Sequence, residues 1–86
     1  MYARQITVHN RTGLHALPAS RLVALANGFS CQLTITGGQR PADPKNLLRL
    51  LAAGIAQGTK ITVSGVGPDE REAVDAICRY IASLTD

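Results

Sequence analysis

The hydrophobic spacing of this chain switches repeatedly between a two-residue period and a helical three-to-four-residue period, with glycine or proline near most of the switches. That alternation calls for short helices laid over a sheet. Residues 2–9 end in alternating Ile6, Thr7, Val8 and His9, the pattern of a half-buried strand. Residues 16–27 place Ala19, Leu22, Val23 and Ala26 on one helical face. Pro18 fits a helix only in its first turn, so this one has to begin near residue 16, and Asn27-Gly28 ends it. Residues 31–36 alternate Cys31, Leu33 and Ile35 as a second strand before the Gly37-Gly38 turn. Residues 39–43 read as a short third strand, which Pro41 confines to the sheet edge. A short helix follows over 46–53, then a central strand over 60–66 around Ile61 and Val63. Pro68, Asp69 and Glu70 open a last helix through Leu84, with Val74, Ile77, Cys78, Ile81 and Leu84 in one stripe.

The resulting order, β-α-β-β-α-β-α, predicts an α+β fold: an open-faced two-layer β-sandwich. A four-stranded antiparallel sheet is covered on one face by three helices. With 86 residues there is room for one domain, spanning 1–86. Tyr2, Phe29 and Tyr80 are the only aromatic residues, so the core has to be built from Leu, Ile, Val and Ala. No apolar stretch approaches the ~20 residues that span a bilayer, and MYARQITVHN has no export-signal pattern. A cytoplasmic monomer without membrane insertion is expected. Nine Lys+Arg against six Asp+Glu give a net charge of +3, but the basic residues are scattered. Without aromatic stacking platforms they do not suggest a nucleic-acid partner. Cys31 and Cys78 fall at apolar positions far apart in sequence, which predicts buried free thiols and no metal site. No cofactor motif is present; GVGP at 65–68 is too short for a dinucleotide fingerprint.

The segment that points to chemistry is TGLHALPAS, residues 12–20. His15 stands beside the start of a helix, where several backbone N–H groups lack helical acceptors and the dipole favours an anion. A neutral imidazole nitrogen there can attack phosphorus, and the new phosphoryl group would sit over the helix N-terminus. His9, at the end of the first strand, has neither feature and reads as structural or merely exposed.

GLHALPA, residues 13–19, closely resembles the GLHARPA signature of the histidine-containing phosphocarrier (HPr) family of the phosphoenolpyruvate-dependent sugar phosphotransferase system. QITV before it, NGF at 27–29, LTIT, DPKNLLRLLAAGIAQGT at 43–59 and DEREAV at 69–74 fall at that family's spacing, as does the length. The resemblance implies that His15 is phosphorylated on Nδ1 by phospho-Enzyme I, with phosphoenolpyruvate as the upstream donor. The group then passes to a histidine on a sugar-specific IIA protein or domain, in support of carbohydrate uptake. It implies a phosphocarrier rather than a stand-alone enzyme. Ala16, Leu17 and Arg11 are the expected phosphate-stabilising positions, and Leu17, Ser20, Leu47, Leu48 and Arg49 the expected partner-binding ones.

Two departures stand out. The family has arginine where this chain has Leu17, and leucine can neither hold a phosphoryl group nor meet an acidic partner electrostatically. Many Gram-positive relatives carry a regulatory serine where this chain has Asn46, which has no hydroxyl to phosphorylate but makes a good helix cap. On the short helix, Leu47, Leu50 and Leu51 fit one buried stripe and Leu48 exceeds it toward solvent. The alternative to a carrier is a regulatory binding protein on the same scaffold with weak or no phosphotransfer. Leu17 favours it, and the retained imidazole of His15 opposes it.

Overall fold

The computed structural model describes residues 1–85. Its elements are β1 (Tyr2–Thr7), α1 (Ala16–Ala26), β2 (Gln32–Thr36), α2 (Leu47–Ala52), β3 (Lys60–Val66) and α3 (Glu70–Ala82). The strands form an antiparallel sheet in the order β1-β3-β2. In its register Ile6 lies opposite Ile61, and Ile35 opposite Val63. Leu33, Ile35, Ile61 and Val63 are buried, whereas Gln5, Thr7, Gln32, Thr34 and Thr36 are exposed, so one face of the sheet stays open. α3 packs on the sheet, and α1 packs against both α3 and α2. The two-layer α+β class expected from the sequence is therefore the observed one.

The sheet has three strands among the described residues, not the expected four. Residues 39–43 contribute a single bridge, in which Ile35 and Ala42 exchange both backbone hydrogen bonds at 2.8 and 2.9 Å. Extending that register would set Pro44 opposite Leu33, where the ladder needs an N–H that proline lacks. On the turn side, the Gln39 N–H donates to the Ala53 carbonyl at 2.7 Å and draws the chain away from β2. β1 also stops two residues early. Past Thr7 the chain stays tied to the approach to β3, with the Val8 N–H on the Thr59 carbonyl at 2.9 Å and the Gly58 N–H on the Val8 carbonyl at 2.7 Å.

The largest fully buried side chains include Leu22, Ile35, Leu50, Ile61, Ile77 and Ile81, and none is aromatic. Tyr2, Phe29 and Tyr80 are half-buried against this aliphatic core. Both cysteines are free and buried, and burial pushes both thiols up from their ordinary range, which keeps them protonated. α1 ends through Asn27, whose Nδ2 donates to the Val23 carbonyl at 2.9 Å and the Lys45 carbonyl at 3.2 Å. Asn46 caps α2, its side-chain oxygen accepting the Arg49 N–H at 3.1 Å. On α2 the buried stripe is narrower than expected: Leu50 is buried and Leu51 half-buried, but Leu47 is exposed. α3 stops at Ala82, and Leu84 packs on the core from beyond the helix end.

Candidate functional site

The turn between β1 and α1 is built from inside outward. Asn10 is buried, its Nδ2 donating to the Gly13 carbonyl at 2.9 Å, and the Gly13 N–H donates to the Asn10 carbonyl at 3.2 Å. Gly13 has φ +64°, and a Cβ there would lie 2.4 Å from the Ile55 carbonyl oxygen. Only glycine permits that approach. It lets the Leu14 N–H reach the same oxygen at 3.0 Å while the Leu14 side chain enters the core.

His15 then emerges, exposed, as the N-cap residue of α1, with extended backbone angles (φ −123°, ψ 153°). Its side chain makes no capping hydrogen bond, so the imidazole is not committed to the helix. Helix geometry leaves the His15, Ala16 and Leu17 N–H groups without intrahelical acceptors, and Pro18 at the next position has no N–H. Ala16 adopts φ +42°, the one non-glycine residue with positive φ among those described. Pro18 and Ala19 are buried, and the Tyr80 hydroxyl donates to the Pro18 carbonyl at 3.1 Å, fastening the first turn to α3.

Leu17 is 58 % exposed, and Ser20 is exposed one turn further along α1. Leu48 is 79 % exposed, with Leu47 and Arg49 also exposed beside it. Because α2 packs against α1, the two exposed surfaces belong to neighbouring helices. Arg11 is exposed in the loop before His15. His9 is also exposed; its backbone carbonyl accepts the Gln57 side-chain amide at 3.0 Å, which gives Gln57 a bracing role. Two residues that the sequence reading missed are Asn10, which shapes the turn, and Arg21. Arg21 lines a groove of about 240 Å³ with Leu17, Pro18 and Tyr80. Its signal was available, because Arg21 follows Leu17 by one helical turn.

A family profile described as the PTS HPr component phosphorylation site matches residues 2–83. The phosphocarrier protein HPr of Haemophilus influenzae is 36 % identical over 84 residues, covering 98 % of this chain and 99 % of that protein. The phosphocarrier protein NPr of Shewanella violacea is 39 % identical over 83 residues, covering 96 % of this chain and 91 % of that one. The crystal structure of HPr-C-His from Thermoanaerobacter tengcongensis superposes with a TM-score of 0.91 at 34 % identity, over 96 % of this chain and 93 % of that chain.

Proposed function

Because the chain belongs to the HPr family of phosphotransferase-system phosphocarriers, we propose that His15 accepts a phosphoryl group from phospho-Enzyme I and hands it to a IIA protein or domain. The observation that carries this reading is the exposed imidazole of His15 at the start of α1, free of any capping bond and next to N–H donors without helical acceptors.

In the first transfer, Nδ1 of neutral His15 attacks phosphorus in line. A P–N bond forms to His15 as the P–N bond to the donor histidine breaks. In the second, His15 is the leaving group and the phosphoryl group moves to a histidine of the IIA partner. Phosphorus is transferred without redox change, and no cofactor takes part. The Ala16 and Leu17 N–H groups receive the phosphoryl oxygens, and Arg11 adds positive charge from the preceding loop. Leu17, Ser20, Leu47, Leu48 and Arg49 form the partner-binding surface, apolar at its centre with a basic rim. The chain works as a monomeric carrier domain in the cytoplasm, supporting carbohydrate uptake, and is not a stand-alone enzyme. A regulatory binding role without phosphotransfer is the second reading, and Leu17 is the observation that favours it.

Incubation with phosphoenolpyruvate and Enzyme I, read by intact mass, tests the proposal. One acid-labile phosphoryl group is expected on the wild-type chain and on His9→Ala, and none on His15→Ala. Labelling that persists in His15→Ala refutes the assignment, and an unlabelled wild-type chain favours the regulatory reading.

A further inference from the structure

Resting on the phosphocarrier reading above, we propose that Arg21, beyond the loop charge of Arg11, supplies side-chain positive charge from the helix itself to the phosphoryl group on His15 during transfer. The first turn of α1 contains Ala16, Leu17, Pro18 and Ala19 and therefore no cation. A phosphoryl group carrying close to two negative charges would find there only backbone N–H dipoles. The solvent stripe of the helix consists of Leu17, Ser20, Arg21, Ala24 and Asn27, all exposed, and Arg21 is its one charged member.

Arg21 stands four residues after Leu17, about 6 Å along the axis and on the same face. Side chains on a helix lean toward its N-terminus. An arginine at this position can therefore reach back toward the turn that begins at His15, and it shares one groove with Leu17 and Pro18 of that turn. Among the described residues its guanidinium has no ion pair; the two salt bridges there join the N-terminal ammonium to Glu70 and Arg4 to Asp75. Nothing described competes for the guanidinium.

Leu17 and Leu84 form the apolar part of the same groove, which Tyr80, Ser83 and Thr85 complete. The Tyr80 hydroxyl on the Pro18 carbonyl fixes the turn that Arg21 has to reach. Arg11, by contrast, is exposed in the loop ahead of the helix and does not line this groove. The contact involves no proton transfer: Arg21 stays charged while the P–N bond to His15 forms and the donor's P–N bond breaks.

The test compares the full-length wild-type chain with Arg21→Gln, Arg21→Lys and the double variant Leu17→Arg/Arg21→Gln, using phospho-Enzyme I as donor. Arg21→Gln should lower kcat about tenfold with KM unchanged, as expected when a charge-assisted contact made in the transition state is lost. Arg21→Lys should recover part of that loss. The double variant should recover most of it, because it returns a guanidinium to the same face. A raised KM with unchanged kcat would make Arg21 a docking residue and overturn the proposal, as would unchanged kinetics. Loss without recovery in the double variant, both proteins melting like wild type, would overturn it as well. Failure of the wild-type chain to become labelled at all would refute the underlying phosphocarrier reading instead, so the two failures are distinguishable.

Discussion

Leu48 and Leu50 sit two residues apart on a six-residue helix and should respond to substitution in opposite ways. Leu48 is 79 % exposed, so only about a fifth of its surface is removed from water, whereas Leu50 is fully buried. Complete burial of a leucine contributes roughly 1.5–3 kcal/mol, so the buried part of Leu48 is worth about 0.3–0.6 kcal/mol. Aspartate at this position also lies in the first turn of α2, where a negative charge recovers roughly 0.3–1 kcal/mol from the helix dipole. The two effects nearly cancel. At about 4–8 °C per kcal/mol for a domain of this size, Leu48→Asp should leave Tm within about 4 °C of wild type. Leu50→Ala creates a cavity costing about 2–5 kcal/mol and should lower Tm by roughly 10 °C or more. Binding should show the reverse order. If Leu48 is central to the partner surface, placing a charge there should weaken Enzyme I or IIA binding by about 2 kcal/mol, roughly thirtyfold in Kd. Thermal unfolding by circular dichroism and titration calorimetry with each partner provide the two readouts. A Tm loss for Leu48→Asp as large as that for Leu50→Ala would refute the exposure argument. An unaltered Kd would remove Leu48 from the docking surface.

Ala16→Gly should raise Tm by a few degrees: relief of the positive φ is worth about 1–2 kcal/mol, and the added freedom of the unfolded chain costs about 0.5–1 kcal/mol. A fall in Tm would mean that Ala16 is not strained. Asp69 accepts the Ser30 N–H at 2.8 Å and the Cys31 N–H at 2.9 Å, and these bonds, that from Ser30 foremost, hold its carboxyl below the usual range. A carboxyl lowered in the folded state stabilises above its unfolded pKa of about 3.9, and that contribution is lost as pH falls through the folded value. Asp69→Asn should therefore melt below wild type at neutral pH, with the gap closing on acidification; a gap independent of pH would refute the assignment.

The elements were legible because periodicity is a local property. Leu22, Ile35, Ile61 and Ile77 are buried where their spacing put them. What the sequence did not disclose depends on partners distant in the chain. Pro41 marked residues 39–43 as an edge strand, but the residue that limits the pairing is Pro44. Its effect is visible only once Ile35 is known to face Ala42. Asp69 stands at the N-cap of α3 among the residues expected to open it, yet its carboxylate makes no capping bond and instead ties α3 to the entrance of β2. Leu47 fits the arithmetic of a buried stripe, but α2 is too short to bury more than its central residue fully.

The site was legible for a related reason, and the burial pattern of residues 13–19 explains it. Gly13 and Leu14 are buried, His15, Ala16 and Leu17 are exposed, and Pro18 and Ala19 are buried again. The segment is a bracket: two inward pairs fixed to Ile55, the core and α3 hold three outward residues between them. The inward residues answer to packing and to the close approach of Gly13 to Ile55, which no local pattern announces. The outward residues answer only to whatever arrives at the surface. Leucine can therefore occupy position 17 without disturbing the fold, because at 58 % exposure it bears little of the packing. A charge missing from the outward trio can for the same reason be supplied by Arg21 one helical turn away, since the bracket fixes the backbone of the turn independently of the side chains it displays.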